Sequence, residues 1–124
     1  MILCGIAGTR LREAAAAKPK PLVEVGGRPI VWHIMKTYGH YGYTDFILCL
    51  GYMSDAIKEY FLNFRTLQND LTVHLGGSVQ VHNAEREEDD WKVTLVDTGL
   101  ESSTAGLIAR VRKYIGDETF MATY

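Results

Sequence analysis

Two short apolar runs, each ended by a glycine and each followed by a segment of helical periodicity, restrict this chain more than any other feature. The first is residues 1–4, closed by Gly5, and the second is residues 45–50, closed by Gly51. Neither has the length of a helix, so both predict buried strands. Between them, after Gly26 and Gly27, Pro29 opens a stretch in which Ile30, Val31, Ile34, Met35 and Tyr38 recur at helical spacing, with Gly39 or Gly42 to close it. After the second run, Ser54 begins a helix carried by Ala56, Ile57, Tyr60, Phe61 and Phe64. The order strand, helix, strand, helix calls for parallel strands joined by crossover helices. Ligands of such sheets bind beyond the carboxyl ends of the strands.

The second half changes style. Residues 71–75, 79–82 and 91–96 read as strands with loops short enough for some antiparallel pairing, 105–114 reads as a helix, and 119–124 as a strand again. Glu85, Arg86, Glu87, Glu88, Asp89 and Asp90 form a charge run expected to be a solvated loop. An apolar final run is an unusual boundary for a domain, which suggests a piece of something longer.

The 124 residues carry a net charge of −2, so the whole offers no electrostatic case for a nucleic-acid partner. The distribution is uneven. Residues 1–36 hold six cations (Arg10, Arg12, Lys18, Lys20, Arg28, Lys36) against Glu13 and Glu24, a local +4, and the remainder carries −6. An anionic ligand is therefore drawn to the first third. No apolar stretch approaches the roughly 18 residues of a bilayer span, and no cleavable leader is evident. Cys4 and Cys49 lie in apolar runs rather than at staple or metal spacing, which suits a cytoplasmic protein.

Gly5, Gly8, Thr9 and Arg10 follow the first strand, where a glycine-bearing turn can aim backbone N–H groups at phosphate while Arg10 adds a charged fork. The turn matches neither GxxxxGK[ST] nor GxGxxG. Pro19 and Pro21 alternate with lysines and are expected to hold Lys18 and Lys20 on extended backbone.

Read with their neighbours, these residues resemble a known signature. Gly8-Thr9-Arg10-Leu11 and Lys18-Pro19-Lys20-Pro21-Leu22-Val23-Glu24-Val25-Gly26-Gly27-Arg28-Pro29-Ile30 are similar to the opening of the sugar-phosphate nucleotidyltransferases. Trp32-His33-Ile34-Met35-Lys36, Gly51-Tyr52, Ile57-Lys58-Glu59-Tyr60-Phe61 and residues 91–99 narrow the resemblance to the glucose-1-phosphate cytidylyltransferase branch. It covers nearly all of the chain in order.

The resemblance implies an α/β fold with a Rossmann-like, mixed and mostly parallel sheet and flanking helices, the nucleotide-diphospho-sugar transferase fold. Residues 1–124 would be its N-terminal, nucleotide-binding part, with the carboxyl-terminal half absent. It implies transfer from CTP to glucose 1-phosphate, giving CDP-glucose and pyrophosphate for nucleotide-sugar synthesis, with Mg2+ as cofactor and a tendency to homo-oligomers. By position, Leu3, Cys4, Gly5, Ile6 and Ala7 would lie against base and sugar, and Gly8, Thr9 and Arg10 would face the triphosphate. Lys20 would contact phosphate between the substrates, and Ser102 would take a threonine's place. Arg10 and Lys20 are the catalytic candidates. The family's metal-binding aspartates would fall beyond residue 124.

Three residues depart from the pattern. Ile6 replaces the second glycine of a pair, Ala105 replaces another glycine, and Leu107 stands where the pattern has arginine, so one phosphate contact is lost. These favour an alternative expectation, a nucleotide-binding fragment or degenerate homologue without turnover. His33, His40, His74 and His82 lack zinc spacing. Asp97 reads better as a turn former than as a catalytic group, and Trp32, Tyr38, Tyr60, Phe61 and Phe64 as core.

Overall fold

The computed structural model of the chain describes residues 1–3, 18–51, 53–82, 86–99 and 103–123. Three strands, β1 (Ile2–Leu3), β4 (Asp45–Leu50) and β7 (Lys92–Asp97), form a parallel sheet in the order β1-β4-β7. Two crossover helices, α1 (Ile30–His40) and α2 (Ser54–Leu62), connect them as the apolar spacing required. A short helix α3 (Phe64–Leu67) continues past Asn63, so the expected single helix through Phe64 is broken in two there. The last helix, α4 (Thr104–Ile115), follows β7 and starts one residue before the expected boundary.

The sheet is covered on both faces because β4 alternates between two cores. Phe46, Leu48 and Leu50 meet Val31 and Met35 of α1 and Ile57 of α2, together with Ile2 and Leu22. Ile47 and Cys49 point the other way, against Val111, Leu107 and Ile115 of α4. Each fully buried aliphatic side chain here contributes about 1.5–3 kcal/mol. The Cys49 thiol is pushed up in pKa by burial and behaves as an inert packing group.

The helix ends explain two glycines. Helix α1 runs through Gly39, where the Trp91 indole lies so close that an added Cβ would sit 3.1 Å from its nitrogen. Gly42, at φ +89°, is the residue that closes the helix. Pro29 precedes the helix as its extended N-cap rather than forming its first turn.

The antiparallel pairing expected of the second half is confined to small satellites. Strands β2 (Glu24–Val25) and β3 (Arg28–Pro29) form a tight hairpin over Gly26 and Gly27, and β5 (Asp70–His74) pairs with β6 (Ser78–His82). Strand β7 is parallel to β4 throughout. The predicted strand at 119–124 is reduced, within its described residues, to one parallel bridge from Thr123 to Ile2.

That bridge matters to topology. Since Ile2 pairs with Leu48 on one side, Thr123 lies on the other, so after β7 the chain crosses back by α4 on the opposite face. The direction of sheet growth therefore reverses at β1, a switch point of the kind at which open α/β sheets bind ligands, beyond the carboxyl ends of the strands.

The acidic run is exposed at Glu87, Asp89 and Asp90 as expected, yet it is not a free loop. Glu87–Asp90 forms a 3-10 turn docked on α1, with Glu87 paired to Lys36 and Glu88 accepting from the Trp32 indole N–H at 3.1 Å. Trp32 is thus clasped rather than simply packed, for Arg28 lies 5.1 Å and Lys36 5.7 Å from its ring centroid. Lys36 and Trp32 thus anchor the run through Glu87 and Glu88 while its carboxylates keep their contact with water.

Candidate nucleotide site at the carboxyl end of the sheet

Leu3, Leu50 and Asp97 end their strands on the same side, as the register Leu3 to Cys49 and Leu50 to Asp97 requires. The segments leaving there are residues 4–17 after β1, residues 51–53 after β4 and residues 98–103 after β7. Cys4, Gly5, Ile6, Ala7, Gly8, Thr9, Arg10 and Ser102 lie outside the described residues, as does the acidic run's first member, Glu85. Leu3 is placed at the end of β1. Lys20 is the one catalytic candidate with described surroundings.

Lys20 is not on extended backbone as expected. It opens a 3-10 turn, Lys20–Leu22, after an extended Pro19 at φ −64° and ψ 150°. The Leu22 N–H donates to the Pro19 carbonyl at 2.9 Å, and the turn sinks Leu22 into the core. Pro21 is tolerated because the first residues of such a turn have no internal use for an N–H. Burial of Leu22 outweighs the pre-proline preference of Lys20. The turn leads through β2 and β3 to Ile30, whose N–H donates to the Val23 carbonyl at 2.9 Å. Since α1 returns antiparallel to the strands, its start and the Lys20 turn stand on the carboxyl-end side.

The electrostatics single out the same lysine. Lys18 faces Glu24 at 3.7 Å and Lys36 is paired with Glu87. Lys20 is exposed and, among the described residues, makes no ion pair. Arg28 is half-buried over Trp32 beside Tyr60, whose hydroxyl pKa is raised by burial despite that guanidinium. Of the described cations of the first third, Lys18, Lys20, Arg28 and Lys36, it is Lys20 that remains open to an anionic ligand.

Between β4 and β7 lies an arrangement that local sequence patterns do not reveal. Lys58 donates to Asp97 at 2.5 Å, and the hydrogen bond raises the ammonium pKa and lowers that of the carboxyl. Asp97 is therefore an ion-pair partner at a strand end rather than a turn former. Thr98, fully buried, donates both its N–H and its hydroxyl to the Leu50 carbonyl, at 2.9 and 3.1 Å. Met53, before α2, holds a left-handed φ of 52° in the loop that leaves β4, a conformation costly for a side chain other than glycine.

Leu107, which stands where the family pattern has arginine, is partly buried against the second core of Ile47, Cys49 and Val111. A cavity of about 660 Å3 is lined by Tyr38, Asp45, Phe46, Tyr114 and Phe120. It opens at the amino ends of the strands, away from the switch point. Its volume suits a small molecule, but the topology and the open lysine favour the opposite end for nucleotide.

A Rossmann-like parallel sheet with this switch point belongs to a class of α/β architectures that bind ligands at the carboxyl ends of their strands, and the comparison with known proteins makes the class specific. The Nucleotidyl transferase family profile matches residues 1–123, and the chain belongs to that family. It is 48% identical over 125 residues to the probable glucose-1-phosphate cytidylyltransferase of Bacillus subtilis, covering 100% of this chain and 48% of that protein. The glucose-1-phosphate cytidylyltransferase of Salmonella typhimurium is 48% identical over 126 residues, with the same coverage. The mannose-1-phosphate guanyltransferase of Pichia angusta is 42% identical over 64 residues, covering 48% of this chain and 18% of the relative. The chain spans about half the length of the cytidylyltransferases it matches.

Proposed function

We propose that residues 1–124 act as the N-terminal, nucleotide-binding part of a cytidylyltransferase domain that takes CTP and glucose 1-phosphate to CDP-glucose and pyrophosphate. The observation that carries this reading is similarity along the entire chain to proteins of that name, against similarity over about half of it to a guanyltransferase. The switch point at β1 and the open Lys20 support it.

In this reaction an oxygen of the sugar phosphate attacks the α-phosphorus of CTP. The new P–O bond forms as the bond to the bridging oxygen breaks, and the electron pair leaves with pyrophosphate. No side-chain nucleophile is needed. Positioning and charge neutralisation do the work, which suits cations and backbone donors. Leu3, Cys4, Gly5, Ile6 and Ala7 would contact base and ribose. Gly8, Thr9 and Arg10 would face the triphosphate, Lys20 would follow the charge as it moves toward the leaving group, and Ser102 would donate its hydroxyl.

Magnesium belongs to this reading on family grounds and would supply further neutralisation when bound. Among the described residues no group of three or more His, Cys, Asp or Glu side chains could hold a metal ion, and no step is assigned to one. A cytoplasmic location fits the buried Cys49 thiol, and no described helix is long and apolar enough to cross a membrane. Self-association into a homo-oligomer is part of the same proposal.

The packing of a partly buried Leu107 against the second core favours a second reading, nucleotide binding without turnover, because a leucine there leaves a phosphate uncompensated. Pyrophosphate release with CTP, glucose 1-phosphate and Mg2+, measured on a protein that joins these residues to the carboxyl-terminal half of a cytidylyltransferase, separates the two. Under the first reading Lys20→Ala lowers turnover by about 10²–10³, the scale of losing one charge-stabilising donor, without changing the melting temperature. Folded protein that binds CTP but releases no pyrophosphate supports the second.

A further inference from the structure

The amino ends of the strands have the opposite electrostatic character from the end proposed for nucleotide. Crossover helices run antiparallel to their strands, so α1 and α4 both finish here, on opposite faces of the sheet. Each brings the negative end of its dipole and its last unsatisfied carbonyls. The cavity of about 660 Å3 lies at this end, and the last turns of the two helices line it with Tyr38 and Tyr114. The loop into β4 and the first residue of that strand add Tyr43 and Asp45, and the segment returning toward β1 adds Glu118 and Phe120.

Three of the four rings are not placed as core aromatics are. Tyr43 is 54%, Tyr114 48% and Phe120 41% exposed, while Tyr38 packs partly buried against the first core. Half-exposed rings gathered on one cavity are a feature of binding sites rather than of packing. The charged side chains of the lining are both acidic. Asp45 and Glu118 are exposed, and among the described residues neither makes an ion pair. Lys92, opposite Asp45 in the strand register, forms none with it. No described lysine, arginine or histidine lines the cavity, and the Met1 amino group there donates to the Met121 carbonyl at 2.8 Å while burial lowers its pKa. One ring already accepts a cation: Lys113, outside the lining, holds its ammonium 5.1 Å from the Tyr114 ring centroid. Carboxylates and helix ends repel an anion, and a neutral apolar ligand makes no use of them.

We propose that this cavity binds a small organic cation, an alkylated ammonium whose methyl or methylene groups lie against Tyr43, Tyr114 and Phe120 and whose charge is balanced by Asp45 and Glu118. The site lies at the opposite end of the sheet from the proposed nucleotide site and does not depend on it.

The test uses tetramethylammonium chloride, titrated into the 124-residue chain and followed by amide shifts in ¹H–¹⁵N spectra. Sodium chloride at matched ionic strength and the neutral, similarly shaped tert-butanol are the controls. Saturable shifts at residues 43–46 and 114–121 are expected, with a dissociation constant on the order of millimolar and about tenfold tighter than for tert-butanol. Asp45→Asn and Tyr43→Leu should each weaken binding about threefold at unchanged melting temperature, since both side chains are exposed. Lys113→Met should strengthen it about threefold by removing a like charge and freeing the Tyr114 ring, a gain that structural damage does not produce. The proposal is overturned by equal shifts with tert-butanol, by shifts that track ionic strength alone, or by unchanged affinity in both Asp45→Asn and Tyr43→Leu. Losses that only follow the melting temperature overturn it equally. So does loss of binding once these residues are joined to the carboxyl-terminal half of a cytidylyltransferase, because the cavity is then an internal interface. None of these results bears on CTP binding at the other end of the sheet.

Discussion

Strand β4 and the β5–β6 hairpin are both rich in aliphatic residues, yet they have opposite fates. In β4, every residue from Phe46 to Leu50 is buried, because helices cover both faces. In the hairpin, Leu71 and Val73 stand opposite Val81 and Val79 on one face, and Val73 is 51%, Val79 60% and the tip residue Leu75 99% exposed. The difference is not one of hydrophobicity. A parallel strand acquires its cover through the crossovers that create it, whereas a two-stranded hairpin supplies only itself. Stability should therefore concentrate in the sheet, and the hairpin should tolerate change.

The largest contrast is expected from truncation. Leu48→Ala should cost about 2–5 kcal/mol in denaturant unfolding, because it empties a fully enclosed site. The same change at Leu75 should stay within about 0.5 kcal/mol. Comparable losses at the two positions would mean that something covers the hairpin in solution.

A second contrast lies at the sheet's margin. Gly39→Ala would ordinarily help a helix by up to about 1 kcal/mol. Here the Cβ meets Trp91, itself packed edge-to-face on Phe46, and a net loss of about 1–2 kcal/mol is expected from equilibrium unfolding. A gain would show that Trp91 yields freely and that the core ends short of it.

Hydrogen exchange sharpens the comparison without mutation. Amides of β4 should exchange only through global opening, and those of β5 and β6 through local opening orders of magnitude more often. Equal protection would remove the distinction.

The smallest effect is electrostatic. Hydrogen bonding from Lys58 holds the Asp97 carboxyl below its ordinary range, so its stabilisation is present above the unfolded pKa and disappears as pH falls through the lowered folded value. Both groups are exposed, so the contribution is small. Asp97→Asn should make the acid limb of the stability curve slightly shallower in pH-dependent melting, and an identical limb would show that the pair adds nothing measurable.

How much could be read in advance follows the range of the forces involved. Helix α1 was legible because Val31, Ile34, Met35 and Tyr38 declare its buried stripe within eight residues, and β4 was legible to the residue. Lys20 was identified as a site candidate by the resemblance, but its backbone was not, because the pull of Leu22 into the core is not visible in the alternation of lysine and proline. The acidic run is solvated as expected at Glu87, Asp89 and Asp90, but its docking on α1 was hidden for a similar reason. Its partners, Lys36 and Trp32, are some fifty residues away. Lys58 and Asp97 are separated by 39 positions, and nothing local marks them as a pair.

The sequence by itself determined the class of fold, the family and the cationic character of the first third, since apolar periodicity, glycine placement and motif spacing are written along the chain. Tertiary structure alone decided which of the described cations are spent on internal carboxylates and which remains open, and that Leu107 packs, partly buried, against the second core. It also decided that the ends of β4 and β7 are clasped together. Those outcomes depend on which distant groups the sheet order brings within a few ångströms, and contact energies fall off too steeply for any one segment to carry them.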